Sequence, residues 1–357
     1  MIVRRGFLGL AATGVLGTLV PRAALATGGL DPELGTPPPQ AGIPPSANPA
    51  VRVLVANDVD PQHVTAVPSA ASFSYAGKNY RGGPSIVDGP DRHPALIATL
   101  PIDAYLYGVV PLEIGRAWPD AALQTQAIVA RTYALSHRVT GRNYDLVANS
   151  SDQVWGGMDA ESPRTNAAVD ATEGQIVTYA GGLASVFYSS CCGGHTADAS
   201  GLWGGVDLPY LRGVADPYCM TSSPYASWTA TVTVGGLLAA LGAKASTLGK
   251  VGAISLGEPG ADGRPGVLIA GSAGSAEWSS AQVRRALGPS LLRSTLLRSL
   301  AVLGDPTQAQ TALRIEGSGS GHGVGLCQWG ARVLAQQGRS PREVVAFYFP
   351  GALVTNG

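Results

Sequence analysis

Three short stretches hold most of the residues able to do chemistry. Cys191-Cys192-Gly193-Gly194-His195 sets two thiols and an imidazole within five positions. The paired glycines permit a sharp turn that can aim thiolate and imidazole at one ion, the donor types that zinc prefers. Cys219 and His322 are the expected distant ligands, with Cys327 a further candidate. An oxidising compartment allows a different use of the same residues, a disulfide, most simply Cys192 with Cys219. A Cys/His nucleophile pair is a third reading. Glu113 stands apart, among Val109, Val110, Leu112, Ile114 and Trp118, with no charge until Arg116. Apolar surroundings raise a carboxyl's pKa and suit it to general acid work near neutral pH. The same pattern also fits an exposed loop glutamate. In Gly321-His322-Gly323-Val324-Gly325, the glycines let backbone approach a ligand closely, and His322 can move a proton, bind substrate, hold a metal or sit buried on a backbone partner.

The elements that must position these groups are readable from periodicity and breakers. Residues 51–55 and 95–100 are β-rich runs. From Pro101 the spacing of Ile102, Leu106, Val109 and Val110 predicts a short helix with proline at its first position, ended by Pro111. A second helix is expected from Pro119 and Asp120 to about Arg138, with Leu123, Ala127, Ala130 and Ala134 on one face. Arg131 within it is either an ion-pair partner or a group that orients substrate or Glu113. Gln126 and Tyr133 lie a heptad apart on one face. Residues 154–157 mark a corner, and 164–172 a short helix. Residues 175–179 and 184–188 read as hairpin strands around Gly181-Gly182. Beyond them, 228–315 alternates short strands with helices near 235–241 and 280–287. A proline-capped helix follows Ser340. The fold class is α+β, with mixed sheets and a few short helices.

Composition narrows the function. The 357 residues carry 24 basic and 24 acidic side chains, for a net charge of zero, and only 13% are charged. Without a basic surplus, nucleic acid is not an expected partner. No glycine-rich phosphate loop stands in usable context, so no nucleotide cofactor is expected. Residues 1–26 read as an export signal: Arg4-Arg5, then Phe7-Leu8, an apolar run to Val20, and the small-x-small site Ala24-Leu25-Ala26. The arginine pair has a twin-arginine character, and the segment is either cleaved or kept as an anchor. Residues 27–48, with Pro37-Pro38-Pro39 and Pro44-Pro45, read as a linker. Residues 49–94 form an N-terminal β-rich segment, 95–220 a core, and 221–357 a part that completes the domain.

Taken together, three blocks resemble the SpoIID/LytB family. The first runs from Val109-Val110-Pro111-Leu112-Glu113 through Trp118-Pro119 to Ala130-Arg131-Thr132-Tyr133-Ala134. The second is Phe187-Tyr188-Ser189-Ser190-Cys191-Cys192-Gly193-Gly194-His195-Thr196 with Trp203-Gly204. The third is Gly321-His322-Gly323-Val324-Gly325-Leu326-Cys327-Gln328-Trp329-Gly330-Ala331 with Tyr348-Phe349-Pro350-Gly351. The resemblance covers about residues 95–355. It implies peptidoglycan as substrate and a secreted protein working at the cell wall, in remodelling or sporulation-like processes. It also implies lytic transglycosylase chemistry, with Glu113 matching the family's catalytic glutamate. Leu112 and Ile114 replace the serine and methionine that flank the glutamate in the family pattern. LytB-type members imply an alternative, a non-catalytic enhancer of a cell-wall amidase. Substrate contacts are expected from Gln126, Arg131, Tyr133, Ser189, His322 and Gln328, and the blocks are expected to converge on one groove. Some members carry a Cys/His zinc site, which here implies Cys192, His195 and Cys219.

Overall fold

The computed structural model describes residues 42, 46, 48–67, 71–89, 92–138 and 141–357. The expected export signal and nearly all of the linker lie outside them. Among the described residues no helix is long and apolar enough to cross a membrane.

The chain has an α+β architecture, and its described residues build three large hydrophobic cores and a small cluster of Leu54, Ala95 and Ile97. The first core rests on a four-stranded sheet. Its order is Gly83–Asp88, Pro94–Pro101, Ala50–Asn57 and Leu146–Val147, antiparallel except for the last pair. Val51 and Val53 on one strand, and Leu96, Ala98 and Leu100 on its neighbour, turn one face inward at period two. Strand Pro94–Pro101 runs directly into helix Ile102–Glu113, with Pro101 as the N-cap. The helix continues through Pro111 to Glu113, beyond its expected end. A proline in the last turn forfeits one backbone donor, and the apolar face of Val109 and Val110 is already buried there. Ile114 N–H then closes the helix on the Val110 carbonyl at 3.2 Å.

Helix Asp120–Ser136 is the central strut. Leu123, Ala127, Ala130 and Ala134 pack into the first core, as their spacing predicts. Ile128, Val129 and Tyr133 face the second core. Small alanine side chains allow this double-sided packing, because neighbours can approach the helix closely on both flanks. Thr132 Oγ1 donates to the Ile128 carbonyl at 2.7 Å and accepts the Val177 N–H at 2.9 Å, tying the helix to strand Gln175–Tyr179.

In the second core, strand Gln175–Tyr179 lies between Leu353–Asn356 and Gly182–Leu183. The second expected hairpin strand, 184–188, does not form as read. Only Gly182–Leu183 pairs back, and Ala184–Phe187 crosses the core as extended chain, buried on all sides. The Tyr210 hydroxyl accepts the Ser185 N–H at 3.0 Å in place of a ladder bond. Tyr188–Ser189 then pairs in parallel with Leu326–Cys327, which joins the second and third motif blocks. Helices Gln328–Gln336 and Pro341–Tyr348 close this core, the latter with a capping box of Ser340 and Glu343.

Residues 228–318 carry the third core, inserted between the cysteine loop and the Gly321-His322-Gly323 turn. One sheet is ordered Trp228–Thr233, Ala312–Ser318, Leu296–Leu303, the other Val251–Pro259, Pro265–Gly271, Gly274–Trp278. Helices Val234–Leu241 and Ser280–Leu287 pack with them, within a residue of their expected positions.

Candidate active site and buried thiol cluster

Glu113 ends its helix where three tyrosines surround it. Tyr105, Tyr133 and Tyr188 are buried, and each feels the charge of Glu113. The Tyr188 hydroxyl acts on the Glu113 carboxyl in favour of its ionised form. That hydroxyl accepts from Gln153 Nε2 at 3.0 Å, and Gln153 is anchored by a longer contact to the Ala130 carbonyl at 3.4 Å. The residue as a whole is half-buried, yet burial pushes its carboxyl up to about 7, against the influence of Tyr188, which favours the ionised form. Tyr105 Oη, Gln153 Oε1 and Trp155 Nε1 in this wall are buried without a hydrogen-bond partner among the described residues. Unpaired buried polar atoms mark places where water or a polar ligand completes the bonding.

The other expected substrate residues divide. Tyr133 lines the wall around Glu113, its ring 6.0 Å from that of Tyr188 and stacked on His137 at 3.9 Å. Gln126 and Gln328, from the first and third motif blocks, meet at 3.3 Å, Gln328 Nε2 donating to Gln126 Oε1; Gln126 Nε2 is left without a partner among the described residues. Ser189 Oγ accepts the Gly323 N–H at 3.2 Å. Arg131 takes the structural alternative. Its Nε and Nη2 donate to Asp103 Oδ1 at 2.9 and 2.6 Å, Nη1 donates to the Gln175 carbonyl at 3.1 Å, and Nη2 also reaches the Val169 carbonyl at 3.2 Å. Fully buried, with four of its five N–H donors on protein acceptors, it is built into the core rather than turned toward a sugar.

His322 also differs from the role expected of it. Nδ1 accepts the Val324 N–H at 3.0 Å, so the proton sits on Nε2, which donates to the Tyr188 carbonyl at 3.0 Å. Burial, with Arg284 nearby, pushes its pKa down to about 3. The ring is a neutral brace between Phe187 and Trp203. It moves no proton and faces no metal donor. What it does is hold the backbone of Tyr188, the tyrosine that favours the ionised form of Glu113.

Buried behind the second motif block is a cluster of four potential ligands. Cys192, Cys219 and Cys327 sulfurs and an Asp216 carboxylate oxygen all lie within 4.8 Å of one another. Cys192 Sγ stands 3.6 Å from Cys219 Sγ, well beyond the roughly 2.05 Å of a disulfide, and all four cysteines are free thiols. Asp216 Oδ2 accepts from Cys192 Sγ at 3.2 Å and from the Tyr348 hydroxyl at 2.9 Å. Hydrogen bonds first from Cys219 and then from Cys327 push the Cys192 thiol down to about 6. His195, the expected imidazole ligand, is outside the cluster: it is exposed, with Nδ1 on the Thr196 carbonyl at 2.7 Å. The positive φ values of Gly193 and Gly194 make the turn that separates His195 from the thiols. Asp216 and Cys327 take the places left.

The sequence of this chain matches known proteins across the same region. The family model described as SpoIID, stage II sporulation protein, matches residues 91–179. An uncharacterized protein of Brachyspira hyodysenteriae is 32% identical over 285 residues, covering 78% of this chain and 73% of its own length. The chain belongs to the SpoIID family. The stage II sporulation protein D of Bacillus amyloliquefaciens is 29% identical over 273 residues, 71% of this chain and 74% of its own. The amidase enhancer of Bacillus subtilis is 27% identical over 300 residues, and the match spans 40% of that longer protein. Glu113, Gln126, Arg131, Tyr133 and Gln153 fall inside the family match. Tyr188 stands in the second motif block, so its type and place were open to sequence reading. Gln153, Tyr105 and Asp216 belong to none of the three blocks and carry no such signal.

Proposed function

We propose that this protein cleaves peptidoglycan glycan strands as a lytic transglycosylase, with Glu113 as the single acid and base. The observation that carries this reading is the Glu113 carboxyl at the end of its helix, half-buried among Tyr105, Tyr133 and Tyr188 and raised by burial to about 7. A hydrolase of the common kind needs a second carboxyl to activate water or attack the sugar. In the transglycosylase reaction the substrate supplies its own nucleophile. Protonated Glu113 gives its proton to the glycosidic oxygen as the bond to C1 of the muramic acid breaks. The resulting carboxylate accepts the proton of that sugar's 6-hydroxyl as its oxygen bonds C1, closing a 1,6-anhydro ring. Glu113 ends protonated, ready for the next cycle. Tyr188, braced by Gln153, positions the carboxyl and stabilises its transient charge. Fragments released by the parent and by Glu113→Gln test this: mass spectrometry should find anhydro ends with the parent and none with the variant. Reducing ends from the parent would mean hydrolysis instead.

Family membership and the amidase-enhancer relative support a cell-wall role in the broader sense. That relative also favours a second reading, in which the protein binds the wall and stimulates an amidase. Stimulation that persists in Glu113→Gln, with no fragments from either protein, would select it. Export by residues 1–26 is part of both readings.

We further propose that Cys192, Cys219, Cys327 and Asp216 hold zinc. Three thiols and a carboxylate match zinc's donor preference, and a fourfold protein set with no open position is the mark of a structural site. Bound there, zinc would tie the cysteine loop to Leu326–Cys327 and stiffen the strand pair that carries Tyr188. The ion takes no part in the reaction at Glu113.

A further inference from the structure

The corner at residues 154–157 lies on the last turns of the helix that ends at Glu113, and two glycines make the contact possible. A Cβ on Gly108 would meet Trp155 Nε1 at 2.5 Å. One on Gly156 would meet Ala160 Cβ at 2.5 Å and Leu112 Cδ1 at 2.9 Å. Without either, the backbones touch, and the Gly156 N–H donates to the Gly108 carbonyl at 3.1 Å. From Gln153 to Met158 burial alternates with a period of two. Gln153 and Trp155 turn inward. The first donates to the Tyr188 hydroxyl in the wall around Glu113, and the second packs on Tyr80 and Tyr105 with ring centroids 5.2 and 5.7 Å away. Val154, Gly156 and Met158 are left on the outward side.

That outward side is apolar. Val154 and Met158 are each 37% exposed, and Leu112, which packs on Gly156, is 43% exposed. One exposed aliphatic side chain is ordinary, whereas a group of them beside a polar site marks a contact surface. The strip is continuous with the Glu113 site along two segments. Leu112 precedes Glu113 in the last turn of its helix, and Val154 follows Gln153. Leu112 also stands where the family pattern has serine, so this apolar surface belongs to the present chain. The three side chains offer no charge, no strong hydrogen-bonding group and no ring face. They are unsuited to sugar hydroxyls and to stacking on a pyranose, and suited to a small aliphatic group. On an amino-sugar glycan the acetamido methyl is such a group. Every sugar of the strand carries one, so one meets the strip whichever sugar lies there.

We infer that Leu112, Val154 and Met158 form a slot for the acetamido methyl of a sugar bound next to Glu113, with Leu112 as its specificity-determining residue. The inference rests on the peptidoglycan reading above. Seating the methyl removes apolar surface of both partners from water. It also fixes the acetamido arm, and with it the orientation in which the ring is presented to the carboxyl.

The test uses the full chain with Glu113→Gln, so that binding is read without turnover. Two glycan oligomers with identical lactyl groups serve as probes, one N-acetylated throughout and the other N-formylated, so that they differ only in the acyl methyl. The expected result is about fourfold tighter binding of the acetyl form, the size of burying one methyl group. Adding Leu112→Ser should bring the two affinities together by weakening the acetyl form. Met158→Gln should remove part of the preference. These side chains are exposed, so the variants should melt like the Glu113→Gln chain. Equal binding of the two oligomers by that chain overturns the slot and leaves the peptidoglycan reading intact. So does a preference that survives Leu112→Ser undiminished. Binding of neither oligomer overturns both.

Discussion

Tyr188 and Glu113, distant in sequence, act on one another at the end of a helix, and Gln153 Nε2 donates to the tyrosine hydroxyl at 3.0 Å. Two opposed influences meet on that carboxyl. Burial favours the protonated acid, the tyrosine favours the carboxylate, and burial is the larger. The balance leaves the group near 7, where it can both give and take a proton.

Removing the tyrosine's contribution should move the balance in a known direction. In Tyr188→Phe the hydroxyl that favours the ionised form is gone, so the Glu113 pKa should rise above about 7. A general acid loses activity as pH climbs through its pKa. The basic limb of the kcat/KM profile should therefore shift to higher pH in the variant. The rate at the optimum should fall as well, because the carboxyl loses its positioning partner. A basic limb that stays in place would show that another group controls it.

The same raised pKa has a consequence for stability. A carboxyl near 4.5 when unfolded and about 7 when folded binds its proton more tightly in the folded state. Its contribution is favourable below about 4.5 and is lost as pH rises through about 7. Glu113→Gln cannot ionise and escapes the loss. The melting temperature of the variant relative to the parent should be higher at pH 8 than at pH 4. Equal differences at the two pH values would mean that the carboxyl is not desolvated in solution.

Arg131 should behave as a structural residue. Arg131→Ala leaves Asp103 buried without its partner, and breaking a buried pair from one side costs about 3–5 kcal/mol. Urea unfolding should register a loss of that order. At temperatures where the variant stays folded, affinity for glycan should match the parent. A large drop in affinity without a loss of stability would return Arg131 to the substrate site.

The thiol cluster makes a countable prediction. Protein purified without chelator should carry about one zinc per chain by elemental analysis, lost in Cys192→Ser and in Asp216→Ala but kept in His195→Ala. Thiol titration of the denatured, zinc-free chain should find all four cysteines reactive. Two reactive thiols would reveal a disulfide and replace the metal with a covalent tie. Chelation should lower the melting temperature, since binding free energy of this kind is folding free energy.

Much of this protein is written locally. The apolar period of Leu123, Ala127, Ala130 and Ala134 and the caps at Pro101, Ser279 and Ser340 set helices where short-range interactions decide the outcome. The three motif blocks identified the family and singled out Glu113 as a candidate, because their residue types and order survive without knowledge of contacts. Other features depended on partners far along the chain. Pro111 lies inside a helix because packing on Val109 and Val110 outweighs one missing donor. Arg131 is structural because Asp103 faces it from another helix, and either role suited its position on an alanine-rich face. His322 is a brace because the Val324 N–H and the Tyr188 carbonyl occupy both ring nitrogens. His195 yields its place to Asp216 and Cys327 because the Gly193-Gly194 turn directs it outward while other segments bring their donors in. Sequence patterns report period, caps and residue type, which act over a few neighbours. Which donor meets which acceptor across the core follows from how the three cores pack against one another, and that geometry exists only in the folded chain.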